Sequence, residues 1–159
     1  MKAIYKNDFW KVSVDWKDPT LYEDVLENGH ECCEDSQLYM ITAAFGKNKH
    51  KILYIGKTTK SISHRLKQPD HKLRHLKMSG DYSRHKLYIT MGKIRVEGGK
   101  VTPKRIDQIE SLLIYSFDDF HKYNGSKINK LNLSEHYEVQ NKGEFHALPE
   151  KIYLGLFKN

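Results

Sequence analysis

Residues Gln37 to Arg65 read QLYMITAAFGKNKHKILYIGKTTKSISHR. β-Branched and aromatic residues fill Leu38–Phe45 and Ile52–Ile55, and the turn formers Gly46-Lys47-Asn48 separate them, so the stretch predicts two strands joined by a turn. Tyr54-Ile55-Gly56 closes the second strand, and Lys57, Lys60 and Arg65 follow directly. A tyrosine at a strand end, a glycine that admits close backbone approach and cations just beyond suit a bound phosphate.

Downstream, Ser61–Leu66 predicts the start of a helix that Pro69 restarts, with Asp70 in its first turn and Ser79-Gly80 as its stop. Leu73 and Leu76 mark one face of it, and Lys72, Arg74 and Lys77 the others. From Lys57 to Lys77 there are seven Lys or Arg residues against Asp70 alone, the densest basic segment of the chain. His71 and His75, at i and i+4, share a face as metal ligands do, but no third ligand stands at a telling distance, which favours phosphate or solvent contacts. His85–Val96 predicts the next strand, with Gly92 as a bulge that flips its alternation.

Thr102-Pro103 then opens a helix with an N-cap hydroxyl and a proline in the first turn. Its apolar positions are Ile106, Ile109, Leu112, Leu113, Phe117 and Phe120, a period near 3.6. Glu110 falls on that stripe, where an ionised carboxylate is costly unless compensated. Three readings stand: a glutamate reaching water at the stripe's edge, a salt bridge to a buried arginine, or a metal-ligating carboxylate.

Flanking segments complete the chain. Phe9–Trp16 alternates as a strand, and Leu21–Leu26 suits a short acidic helix with Thr20 as N-cap and Glu23 three residues on. Tyr137–Gln140 and Lys151–Phe157 are candidate strands near the C-terminus. The charge is uneven: residues 15–35 hold eight acids and Lys17, residues 1–14 carry +2, and the remainder of a net +7 leaves +12 for residues 36–159. Such a basic portion suits a polyanion, and also a solvated lysine-rich surface.

At 159 residues, 38% hydrophobic and 30% charged, the chain is expected to be one globular domain. Residues 1–35 form an acidic arm, 36–133 a core and 134–159 an extension. No apolar run reaches the ~20 residues of a membrane helix, and residues 1–6 show no signal-peptide pattern; a cytoplasmic protein with no membrane partner is expected. Cys32 and Cys33 are adjacent and cannot staple distant segments, so two partly buried thiols are the simpler reading. Gly56-Lys57-Thr58 imitates the end of a P-loop, but Lys51 occupies the place of the required upstream glycine.

Leu38-Tyr39, then Tyr54-Ile55-Gly56, then Arg65 on the next helix resembles the GIY-YIG nuclease family, over roughly Ser36 to Leu131. The second half of the signature matches letter for letter, whereas Gln37-Leu38-Tyr39 keeps only the tyrosine of the first. The resemblance implies an α+β fold, a small antiparallel sheet of three central strands (37–45, 51–55 and 86–96) flanked by helices. It implies a divalent-metal-dependent endonuclease acting on DNA, with Mg²⁺ or Mn²⁺ on Glu110. Tyr54 would be the general base or water-orienting group, with Tyr39 and Lys57 beside it, and Arg65 would hold the scissile phosphate. Gly56, Lys60, His71, Lys72, Arg74, His75, Lys77 and Asn129 would contact phosphate or nucleic acid, with Asn132 a rival for Asn129. The alternative is a module that kept the fold without catalysis and binds nucleic acid or protein.

Overall fold

The two apolar runs on either side of Gly46 form an antiparallel hairpin, and Gly46 turns it with a φ of 118° that favours glycine. The computed structural model describes residues 9–29, 36–116, 123–124 and 133–154. Cys32, Cys33, Phe117, Phe120, Asn129 and Asn132 lie outside the described residues. In chain order the elements are β1 (Trp10–Trp16), β2 (Thr20–Leu21), α1 (Tyr22–Asn28), β3 (Leu38–Ala44), β4 (His50–Lys57), α2 (Ile62–Leu66), α3 (Pro69–Asp81), β5 (Leu87–Val96), α4 (Pro103–Tyr115), β6 (Tyr137–Gly143) and β7 (Lys151–Leu154).

The expected three-stranded antiparallel sheet is corrected. Strands β4, β3 and β5 pair antiparallel, but they are one side of a mixed, curled seven-stranded sheet of order β4-β3-β5-β1-β6-β7, with β2 also on β5. The extra strands come from the two segments read as arms. β1 pairs antiparallel with β5 and parallel with β6, so the first strand of the N-terminal segment sits inside the sheet. Alternation in Phe9–Trp16 signals a strand, but nothing local signals a parallel partner reached through a long crossover. With this sheet, the GIY-YIG resemblance loses the architecture it implied.

Local details also shift. The bulge expected at Gly92 is absent, because β5 pairs with β3 and with β1 through Gly92 without a register shift. That glycine makes room for an indole: a Cβ there would lie 2.7 Å from the Trp16 ring. The shift falls between Ile41 and Thr42, opposite Leu53. Thr20 belongs to β2 and does not cap α1, which starts after Leu21 without a side-chain cap. Thr102 does cap α4, accepting from Arg105 N at 3.3 Å. On α3 the expected apolar face is inverted. Leu73 and Leu76 are 70% and 69% exposed, while His71 and Met78 are buried. Polar side chains can face inward here because the tyrosines beneath them offer hydrogen bonds and rings.

β3 is buried at six of its seven positions, as befits a strand covered on both faces. α4 packs on β4, and Tyr137 reaches from β6 to donate to Gln108 Oε1 at 2.9 Å. Among the described residues no helix is long and apolar enough to cross a membrane.

Candidate functional site

β4 carries Tyr54 and Lys57 to one end of the sheet, and α2 and α3 follow it there. Tyr54, Lys57, Lys60, Arg65, Arg74 and Glu110 line one open cleft of about 700 Å³, and Asp70, His64, Gln68 and Asn124 line it as well. The floor depends on Gly56, which pairs with Tyr39 across the strands. A Cβ at this position would lie 2.6 Å from the Tyr39 hydroxyl and 2.6 Å from the Tyr54 ring, so a side chain would force the two tyrosines aside.

Beneath the floor runs a buried polar chain. Tyr39 is fully buried, and burial, then the neighbouring Tyr54, pushes its phenol well above the usual range. Its hydroxyl and His71 Nε2 share a hydrogen bond of 2.8 Å. Burial first, then the positive Arg65 and Arg74, brings the His71 pKa down to about 4, with Asp70 opposing. The imidazole is therefore neutral at neutral pH, as a buried hydrogen-bonding partner must be. Arg74 lies 3.3 Å from His71 Nδ1, donates from Nε to Tyr123 O at 3.3 Å, and places its guanidinium 4.3 Å from the centre of the Tyr54 ring.

Two arginines converge on one carboxylate. Arg65 approaches Asp70 at 3.3 Å and also donates to Gln68, and Arg74 approaches Asp70 at 3.9 Å. Desolvation works against the Asp70 charge, but Arg65, His71 and Arg74 together hold its carboxyl below the usual range. Opposite, Lys57 pairs with Asp107 and stands 4.0 Å from Glu110, whose side chain is 5% exposed. The compensation for a carboxylate on the α4 stripe thus includes a lysine at the end of β4. Asn124 closes the cleft: its Oδ1 accepts from Ile55 N at 3.2 Å and its Nδ2 donates to Ile55 O at 2.7 Å.

The structure thus gathers Tyr54, Lys57, Lys60, Arg65, Arg74 and Glu110, and sets Tyr39, Gly56 and His71 under them. It separates the others. Lys72 and Lys77 are exposed on α3 away from the lining, Lys77 Nζ being 5.8 Å from the centre of the Tyr123 ring. His75 stacks on Tyr22 at 4.0 Å, and its buried Nε2 has no hydrogen-bond partner among the described residues. Sequence reasoning misses His64, Gln68 and Asn124, and takes Asp70 only for a first-turn acid. Asn124 carries no signal beyond being a loop asparagine after α4.

Comparison with protein-family models, with curated proteins and with solved structures found no match to this chain. The expected metal-dependent endonuclease is also corrected. Among the described residues no three His, Cys, Asp or Glu side chains form a group that could hold a metal ion. A hard divalent cation wants several oxygen ligands, whereas Glu110 faces the Lys57 ammonium. With neither the fold nor a ligand cluster behind them, the phosphodiester hydrolase reading and its GIY-YIG and magnesium attributes are withdrawn.

Proposed function

We propose that this chain binds nucleic acid, DNA in the first instance, by seating a backbone phosphate in the cleft between β4, α2 and α3. The observation that carries the reading is the convergence of four cations, Lys57, Lys60, Arg65 and Arg74, from separate segments onto one opening that also holds the Tyr54 ring. Arginine forks match phosphate oxygens in pairs. Asp70 holds both guanidiniums in place without neutralising both, which lowers the ordering cost of binding. The +12 of residues 36–159 would draw a polyanion toward this surface.

Anisotropy titrations of a labelled DNA oligomer across about 50 to 200 mM salt test the reading. Arg65→Ala and Lys60→Ala should each weaken binding, and each should lower the salt slope by about 0.7 to 0.9 for the one phosphate it no longer neutralises. Unchanged affinity and slope in both variants, with unchanged melting temperatures, would remove the cleft from the interface.

A further inference from the structure

At the far end of β4 from the cleft lies a second cluster that the phosphate seat does not use. Phe45, at the tip of the β3–β4 hairpin, is 42% exposed. Its ring stacks on His85 with centroids 4.0 Å apart, and Tyr82 meets it edge-on at 6.3 Å. The loop between α3 and β5 brings these rings together: His85 Nδ1 lies 3.0 Å from Ala44 O, and Ala44 N donates to Lys86 O at 3.0 Å. Lys51 Nζ sits 5.7 Å from the centre of the Tyr82 ring.

The two sequence segments that carry these rings hold charge of one sign. Residues 45–51 and 82–86 hold Lys47, Lys49, Lys51, Arg84 and Lys86 and no Asp or Glu. All but Lys51 are exposed. Asp81, next in sequence, turns its carboxylate to the Tyr123 hydroxyl. An exposed ring backed by a second ring and fringed by cations is what a nucleobase on a phosphate backbone requires: a π face to stack on and charge for its flanking phosphates.

We infer that Phe45, Tyr82 and His85 form a stacking platform for an unpaired base of single-stranded DNA, on the same strand whose phosphate occupies the cleft. The inference rests on the phosphate reading of that cleft and extends it. α3 spans the distance, starting beside Arg65 and ending at Tyr82; its 13 residues measure about 20 Å. A strand stacked at about 3.4 Å per nucleotide would need some six nucleotides to join the two sites, and a more extended single strand fewer.

The test uses the full chain, a fluorescein-labelled dT oligomer of about 12 nucleotides, the matching duplex, and inorganic polyphosphate as a base-free polyanion. Loss of one stacked base corresponds to about tenfold in affinity. Phe45→Ala should weaken the single strand by about that factor, affect the duplex much less, and leave polyphosphate binding unchanged. Phe45→Trp should restore the single strand. Equal weakening of all three ligands by Phe45→Ala, or no weakening of the single strand, overturns the platform. Arg65→Ala separates the two readings, because it should weaken single strand and polyphosphate alike. If it changes neither while Phe45→Ala still costs tenfold on the single strand, the cleft reading fails and the platform stands alone.

Discussion

Gly56 sets the cleft floor through the absence of one methyl group. A Cβ there collides with both Tyr39 and Tyr54, each held by further packing. Gly56→Ala should therefore cost about 1–3 kcal/mol, as overpacking does, read as a lower urea midpoint with an unchanged m-value. An unchanged midpoint would mean that the rings give way freely. His71 makes a second prediction. Its folded pKa of about 4 lies below the ordinary 6.5, so the unfolded chain takes up the proton first as pH falls. The stability that neutral His71 provides is thus complete above about pH 6.5 and is lost as pH falls toward 4, by up to about 3 kcal/mol. His146, also depressed to about 4 by burial and then by His50, adds a loss in the same window. Denaturation midpoints at several pH values should show this acid slope, and His71→Gln should flatten it partly. A slope unaffected by that variant would assign the whole effect elsewhere.

Among the elements, α3 shows where the sequence is readable and where it is not. Its start follows from Pro69, its end runs past the expected Ser79-Gly80 stop to Asp81, and its charge density is visible at a glance. Its orientation is not, because the inward face carries His71, Arg74 and His75, and the two leucines point out. Hydrophobic periodicity fails when buried polar groups partner one another, as His71 does with Tyr39. The hairpin and β5 are legible from their β-branched and aromatic content between turn formers, and α4 from its apolar period and its Thr102-Pro103 start, although the hairpin strands are buried without alternation. The gathering of Tyr54, Arg65 and Glu110 is legible from strand and helix order, whereas the approach of Lys57 to Glu110 depends on how α4 lies against β4. The outward face of α3 also yields a prediction. Lys72→Glu with Lys77→Glu should weaken DNA binding and flatten its salt dependence, with a melting temperature within about 2 °C because both side chains are exposed. A slope equal to that of the parent chain would direct the nucleic acid away from this helix.

For the molecule as a whole, the parallel pairing of β1 with β6 joins the described N-terminal and C-terminal segments through the middle of the sheet. Trp16 Nε1 donates to Asn141 Oδ1 at 2.9 Å across this pair. Gly143 ends it at φ 74°, where a Cβ would lie 2.1 Å from Trp16 O. Gly143→Ala should thus lower global stability by about 2 kcal/mol or more. Calorimetry would detect it as one shifted transition; an unshifted one would mean that the strand end relaxes at no cost. In the sequence both segments look like appendages because each is too short to bury a core alone. Their shared core exists only when the two meet.

That meeting has a schedule. β1 leaves a ribosome well before β6 does, and Trp16 waits for Asn141, 125 residues later. At about 5–20 residues per second, this leaves the first strand without its parallel neighbour for on the order of ten seconds. The β3–β4 hairpin needs no such wait, since its strands are nearly consecutive. A chain stalled before β6 would hold a formed hairpin beside an apolar strand edge at Val12, Val14 and Trp16, the surface that chaperones and proteases recognise.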